Sequence, residues 1–167
     1  MAEWGMLKAL DTVNGQEGIA KFTIKNNDGT SKIVDGFFVR NFDATVDMQS
    51  EEFYALGKRG AQHKPAGWSG SGNMTIYYTT SVFREMVVDY IKNGTPLYFD
   101  ILIENEDPAS SIGNQTIIFK DCLLSNISLA KLDVDTTILD ENVDFSFDDV
   151  ELVSSFDEPQ RLNYITR

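Results

Sequence analysis

The sequence predicts a mostly β protein: an antiparallel β-sandwich or barrel with one flanking α-helix and a long loop. Three observations carry this. Seven or eight runs alternate apolar and polar residues with a period of two, one segment has helical periodicity, and turn-forming residues separate the runs. No internal repeat is visible, and 167 residues suit one domain spanning residues 1–167.

Residues 18–25 and 32–39 read as strands separated by Asn26-Asn27-Asp28-Gly29-Thr30, whose Asp-Gly pair supplies a hairpin turn. A third run places Phe42, Ala44, Val46 and Met48 on one face. Residues 49–67 show no sustained period and form the predicted long loop. Its part from Gly57 to Gly67 is basic and glycine-rich, and connections of that length are generally functional or disordered. Strand character returns at Trp68, with Gly70, Gly72, Met74, Ile76 and Tyr78 on one face and Ser69, Ser71, Asn73, Thr75 and Tyr77 on the other. The paired glycines point to a bulge or to close approach of another backbone.

The helical pattern covers residues 81–93. Thr80 or Ser81 caps its start, and Gly94 followed by Pro96 ends it. Phe83, Val87, Tyr90 and Ile91 share one face, while Arg84, Glu85, Asp89 and Lys92 stay polar. Leu97, Phe99, Ile101 and Ile103 form the next strand, and residues 105–114 carry the turn formers Asp107-Pro108 and Gly113-Asn114. Residues 116–124 and 127–134 read as a meander leading into a strand over residues 142–151, and an extended segment is expected over residues 152–167.

Charge is sorted along the chain. Between Leu132 and Gln160 lie ten acidic residues and no Lys or Arg; without them the protein would hold 16 acids against 14 bases, where the whole chain has a net charge of -12. Within that stretch Val143, Phe145 and Phe147 point one way and Asp144, Ser146 and Asp148 the other, so one strand has an apolar and an anionic face. Concentrated like charge opposes folding, which suggests a use for an anionic surface. An acidic protein repels phosphates, so stable nucleic-acid binding is not expected. No apolar run approaches the ~20 residues of a membrane span, and Met1-Ala2-Glu3-Trp4-Gly5 does not open a signal peptide; synthesis in the cytoplasm and no stable membrane association are expected.

Chemistry finds little support. His63, the single histidine, has no adjacent carboxylate or second imidazole, and Cys122, the single cysteine, sits in a packed strand pattern as a structural thiol. Asp133, Asp135 and Thr137 begin like a calcium loop, but Ile138 stands where that loop requires glycine. No catalytic residue, metal site or cofactor is expected.

Two segments, in order, carry a family resemblance. One runs from Gly57-Lys58-Arg59-Gly60-Ala61-Gln62-His63-Lys64 through Gly70-Ser71-Gly72 and Thr80-Ser81-Val82-Phe83 to Tyr98-Phe99. The other runs from Leu132-Asp133-Val134-Asp135 to Val143-Asp144-Phe145-Ser146-Phe147-Asp148-Asp149. With the early Asn14-Gly15-Gln16-Glu17-Gly18 turn they make the chain similar to tail tube proteins of contractile phage tails and of phage-like particles of the PBSX type. The resemblance implies a small β-sandwich or barrel, no catalysis, and hexameric rings stacked as the inner tube of a phage or bacteriocin-like particle. It implies a sheath outside, baseplate or initiator and terminator proteins at the ends, and residence in the particle tail. Trp68 and the more elaborate segment after Val150 depart from the family pattern.

The residues agree with that role. Asp144 and Asp148 are candidates for an acidic lumen face past which DNA slides without binding. Lys58, Arg59, His63, Lys64 and Trp68 are candidates for contacts between subunits or rings, where basic groups meet an acidic neighbour. The competing readings are a tube of the type VI secretion kind, and a small-molecule-binding β-barrel whose aromatic residues line a cavity.

Overall fold

The computed structural model describes residues 7–36 and 38–157. After a single 3-10 turn at Ala9–Asp11 come β1 (Gly18–Lys25), β2 (Ser31–Asp35), β3 (Val39–Phe53), β4 (Gln62–Tyr77), α1 (Val82–Asn93), β5 (Tyr98–Glu106), β6 (Asn114–Ile127), β7 (Asp140–Phe147) and β8 (Asp149–Ser154). The predicted class, mostly antiparallel β with one helix, is what the chain adopts. The elements fall into two compact units, and β6 contributes its first half to one and its second half to the other.

In the first unit the strand order is β2-β1-β5-β6, with β8 also paired to β6. β1 and β2 are antiparallel, joined by the expected turn: the Asn26 N–H donates to the Thr30 carbonyl (2.8 Å), and the Asp28 carboxylate accepts from the Thr30 N–H (2.9 Å). That turn and the alternation of β1 place Phe22 and Ile24 in the core, with Phe99 and Ile101 of β5 also fully buried; the Phe22 and Phe99 rings lie 6.5 Å apart. On the outer side Lys25 pairs with Asp100 at 2.8 Å, and Lys120 with Glu151. β8 occupies the start of the segment expected to be an extended tail, and residues 158–167 of that expectation lie outside the described residues.

The second unit has the order β6-β7-β4-β3 and carries α1. Its core comprises Phe38, Met74, Ile76, Phe83, Met86, Cys122, Val143, Phe145 and Phe147. Cys122 is fully buried, as its strand setting predicts. Gly70 and Gly72 make room for rings rather than for a bulge, and at Gly72 the expected close approach of another backbone is present as well, the Asp43 carbonyl oxygen lying 2.7 Å from where a Cβ would stand. A Cβ at Gly70 would lie 2.3 Å from Phe147, and one at Gly72 would lie 2.4 Å from Phe145, the residues that face them in register on β7. The two phenylalanines thus lie across the bare backbone of β4, and Phe145 also stacks on Phe42 at 5.5 Å.

The helix begins and ends where its caps predict. The Val82 N–H donates to Thr80 Oγ1, and Gly94 closes α1 at φ 68°, a left-handed conformation that glycine adopts without steric cost. Its buried pair is Phe83 and Met86, whereas Tyr90 and Ile91, expected on the packed face, are exposed. Phe83 packs edge-on against Phe38 at 6.2 Å. One ion pair fastens α1 to β7: the Arg84 Nη2 donates to Glu141 Oε1 at 2.8 Å. Arg84 Nη1 donates to the Thr80 carbonyl (2.6 Å), and its guanidinium lies over the Tyr78 ring, 4.0 Å from the centroid.

Three further expectations change. Residues 49–67 are not a long loop: β3 and β4 run on through most of it as a hairpin, leaving residues 54–61 as the connection. Residues 127–134 do not form a strand. Leu132 and Val134 there are almost fully exposed, so this stretch has no buried face to hold it in a sheet. The strand expected over 142–151 divides at Asp148 into β7 and β8.

Candidate functional site

Partners across an antiparallel ladder point to the same side of a sheet, so register sorts the second unit into faces. On one face lie the rows Phe42–Met74–Val143–Ile127, Ala44–Gly72–Phe145–Leu124 and Val46–Gly70–Phe147. These are the core rows. The opposite face carries Asn41–Thr75–Asn142, Asp43–Asn73–Asp144–Asn126, Thr45–Ser71–Ser146–Leu123 and Asp47–Ser69.

Apart from Leu123, the residues in these rows have short polar side chains. These four rows include three carboxylates, Asp43, Asp47 and Asp144, and no Lys or Arg; the next row on the same face, Tyr77–Asp140, adds a carboxylate that Arg40 and Lys131 neutralise. Thr75 Oγ1 donates to Asn142 Oδ1 at 2.9 Å, and Asn126 Nδ2 to Asp144 Oδ2 at 3.4 Å, which orients the amides along the rows. Asp144 therefore stands where its alternation predicts. Asp148 does not join the rows; it sits at the bend between β7 and β8, exposed. Asp43 and Asp47 lie outside the acidic C-terminal stretch; the signal for them is the alternation of Phe42, Ala44, Val46 and Met48, which assigns the residues between them to the other face.

The acidic stretch is also less free than its composition suggests. Glu141 is buried against Arg84, Asp140 pairs with Arg40 and Lys131, and Glu151 pairs with Lys120. Burial pushes the Glu141 carboxyl above the ordinary carboxylate range, an effect that Arg84 and then Lys131 oppose. Glu141 Oε2 and Arg84 Nε are buried without a hydrogen-bond partner, so this pair contributes its attraction at a desolvation cost.

The other predicted contact residues gather on the hairpin. β4 meets β7 in register only from Gly70 onward, so its residues 62–69 project beyond that pairing, about 26 Å at the strand rise of about 3.3 Å per residue. His63 and Lys64 are opposite Glu52 and Glu51 on β3. Lys58 and Arg59 lie in the connection beyond, just after a turn in which the Lys58 N–H donates to the Ala55 carbonyl at 3.3 Å. Trp68 is opposite Met48, 6.2 Å from the Phe147 ring; it remains 44% exposed and Met48 69% exposed. Five predicted residues thus share one hairpin, but in two zones: an apolar base at Trp68 and a cationic tip at Lys58 and Arg59. The aromatic residues that a ligand barrel would turn toward a cavity are packed instead, Phe42 on Phe145 and Phe22 near Phe99. No group of His, Cys, Asp or Glu suited to a metal ion occurs among the described residues, and none of their helices is long and apolar enough to cross a membrane.

Comparison with known proteins places this geometry. The profile of a family described as phage tail tube protein matches residues 5–154. The phage-like element PBSX protein XkdM of Bacillus subtilis (strain 168) is 32% identical over 157 residues, covering 94% of this chain and 97% of that protein. Among solved structures, the tube-terminating cap of the anti-feeding prophage superposes with a TM-score of 0.65 at 11% identity, covering 93% of this chain and all of that one. The sheath-tube complex of an extracellular contractile injection system, in its extended state, gives a TM-score of 0.53 at 13% identity over 81% of this chain and 89% of its own.

Proposed function

From the premise that this chain belongs to the phage tail tube protein family, we propose that it forms hexameric rings stacked into the inner tube of a contractile phage or phage-like particle, with the polar face of β3, β4 and β7 lining the lumen. The observation that carries the reading is the cation-free set of rows through Asp43, Asn73 and Asp144. A duplex presents a dense line of phosphates. A wall of Asn, Ser, Thr and Asp side chains, with Leu123 among them, offers no cation to displace the counterions held by those phosphates, so the cargo slides instead of adhering. The core rows on the opposite side of the same strands support this choice of face, because a one-residue slip would expose the phenylalanines.

In this arrangement the sheath surrounds the tube, and baseplate or initiator and terminator proteins close its ends. The subunit is made in the cytoplasm of the bacterial host and resides in the particle tail. Like its family, it is a structural protein, and its surfaces serve assembly. The type VI-like tube shares this logic, and the family match favours the phage reading over it.

Reversing charge on the proposed wall tests it. Tubes of Asp43→Lys/Asp144→Lys are expected to retain at least tenfold more of a short DNA duplex than wild-type tubes at low salt, to protect it from nuclease, and to release it as salt rises. Retention equal to wild type, or DNA that nuclease digests freely, would place this face outside the lumen.

A further inference from the structure

The register of the second unit puts two unlike surfaces at opposite ends of one sheet. β3 and β4 lead to the connection of residues 54–61 at one end. β7 runs antiparallel to β4 and begins with Asp140 opposite Tyr77, so the chain entering it, residues 128–139, lies at the other end. The first end is cationic and apolar: Leu56 is fully exposed, Tyr54 is 75% exposed, and Lys58 and Arg59 follow with no acid in residues 54–61. The second end is anionic and apolar: Leu132 and Val134 are 98% and 99% exposed, and they alternate with Asp133 and Asp135.

The second end also has a defined shape. A side-chain hydrogen bond with Thr136, and then the Asp135 N–H that donates to the Asp133 carboxylate at 3.0 Å, hold this carboxyl below its ordinary range. The nearby cation is already engaged, since Lys131 Nζ donates to the Asp140 carbonyl at 2.7 Å and lies 3.5 Å from its carboxylate. Two large apolar side chains held in water beside a turn stabilise nothing within their own subunit, and covering them is favourable by the usual area argument.

We propose that the segment 132–135 of one copy receives the hairpin tip, Leu56 with Lys58 and Arg59, of a second copy. The two ends match in charge and both offer apolar area, whereas two tips or two acidic segments would repel. Because the donor and acceptor surfaces differ and lie at opposite ends of the same strands, the contact is heterologous; each docking leaves a fresh tip and a fresh acceptor, so the series propagates along the strand direction. This rests on the tube reading and specifies which surfaces join successive copies along it.

Cross-linking and charge exchange test the pairing in the full chain. Leu56→Cys/Val134→Cys, under oxidation in assembled material, is expected to give a ladder of disulfide-linked multimers, while either single variant gives at most dimers; the buried Cys122 stays silent. Lys58→Glu/Arg59→Glu and Asp133→Lys/Asp135→Lys are each expected to raise the critical concentration for assembly at least tenfold, with unchanged circular dichroism. Combining all four substitutions is expected to restore most of the loss. Filaments that give no ladder and no recovery would overturn this pairing and leave the tube reading standing. Wild-type protein that never assembles would overturn both.

Discussion

Glu141→Ala is expected to destabilise the protein by about 3 to 5 kcal/mol, the range for removing one member of a buried ion pair. Arg84 is left with its charge beside the Tyr78 ring and only 13% of its side chain exposed, and a guanidinium does not shed its proton to relieve the burial. Replacing both partners, Arg84→Met with Glu141→Leu, is expected to cost much less, because no charge then stays buried alone. Urea unfolding of the three proteins checks this; a Glu141→Ala loss under about 1 kcal/mol would mean that the pair does not fasten α1 to β7. The pH dependence follows from the same geometry. The folded-state pKa of Glu141 is raised above its ordinary 4.5, so within this window the folded state binds more protons and stability falls as pH rises from 4.5 through the raised value. Glu141→Gln is expected to lack that contribution, and the difference curve between the two proteins isolates it from the carboxylates of Asp28 and Asp133, whose lowered values act below 3.8.

Shortening the hairpin is expected to raise the threshold for tube growth roughly a hundredfold while leaving the subunit folded. Replacing residues 50–66 with an Asn-Gly turn joins Gln49 to Gly67, which are already cross-strand partners and therefore stand where a two-residue turn closes. None of the excised residues is buried, so the expected change in stability is within about 1 kcal/mol. Assembly should suffer far more. The cut removes Leu56, Lys58 and Arg59 together, and a loss of about 3 kcal/mol at such a contact corresponds to roughly a hundredfold rise in critical concentration. Light scattering across a concentration series reads this directly, and growth at the wild-type threshold would remove the hairpin from the mechanism.

The parts of the fold that bury a face were legible in the sequence. β1 and its Asp-Gly turn, the caps of α1, and the alternation of Phe42 to Met48 and Val143 to Phe147 each contrast apolar with polar, and each stands as read. The hairpin over residues 49–67 was illegible for the same reason: beyond Trp68 both faces of the ribbon meet water, so Ser50, Glu51, Glu52, His63 and Lys64 follow no period. Long-range partnerships were hidden too. Nothing local links Arg84 to Glu141, 57 residues on, or says that Gly70 and Gly72 are bare because Phe147 and Phe145 cross them. The polar face was half visible: Asp144 came from its own strand, while Asp43 and Asp47 become its neighbours only through the pairing of β3, β4 and β7.

Electron microscopy of the untagged protein across a concentration series, carried to a helical reconstruction, tests the central claim most directly. The account predicts hollow filaments of stacked six-membered rings in which β3, β4 and β7 turn Asp43, Asn73 and Asp144 toward the channel. Filaments without a channel, or a reconstruction with those residues on the outer surface, would contradict it.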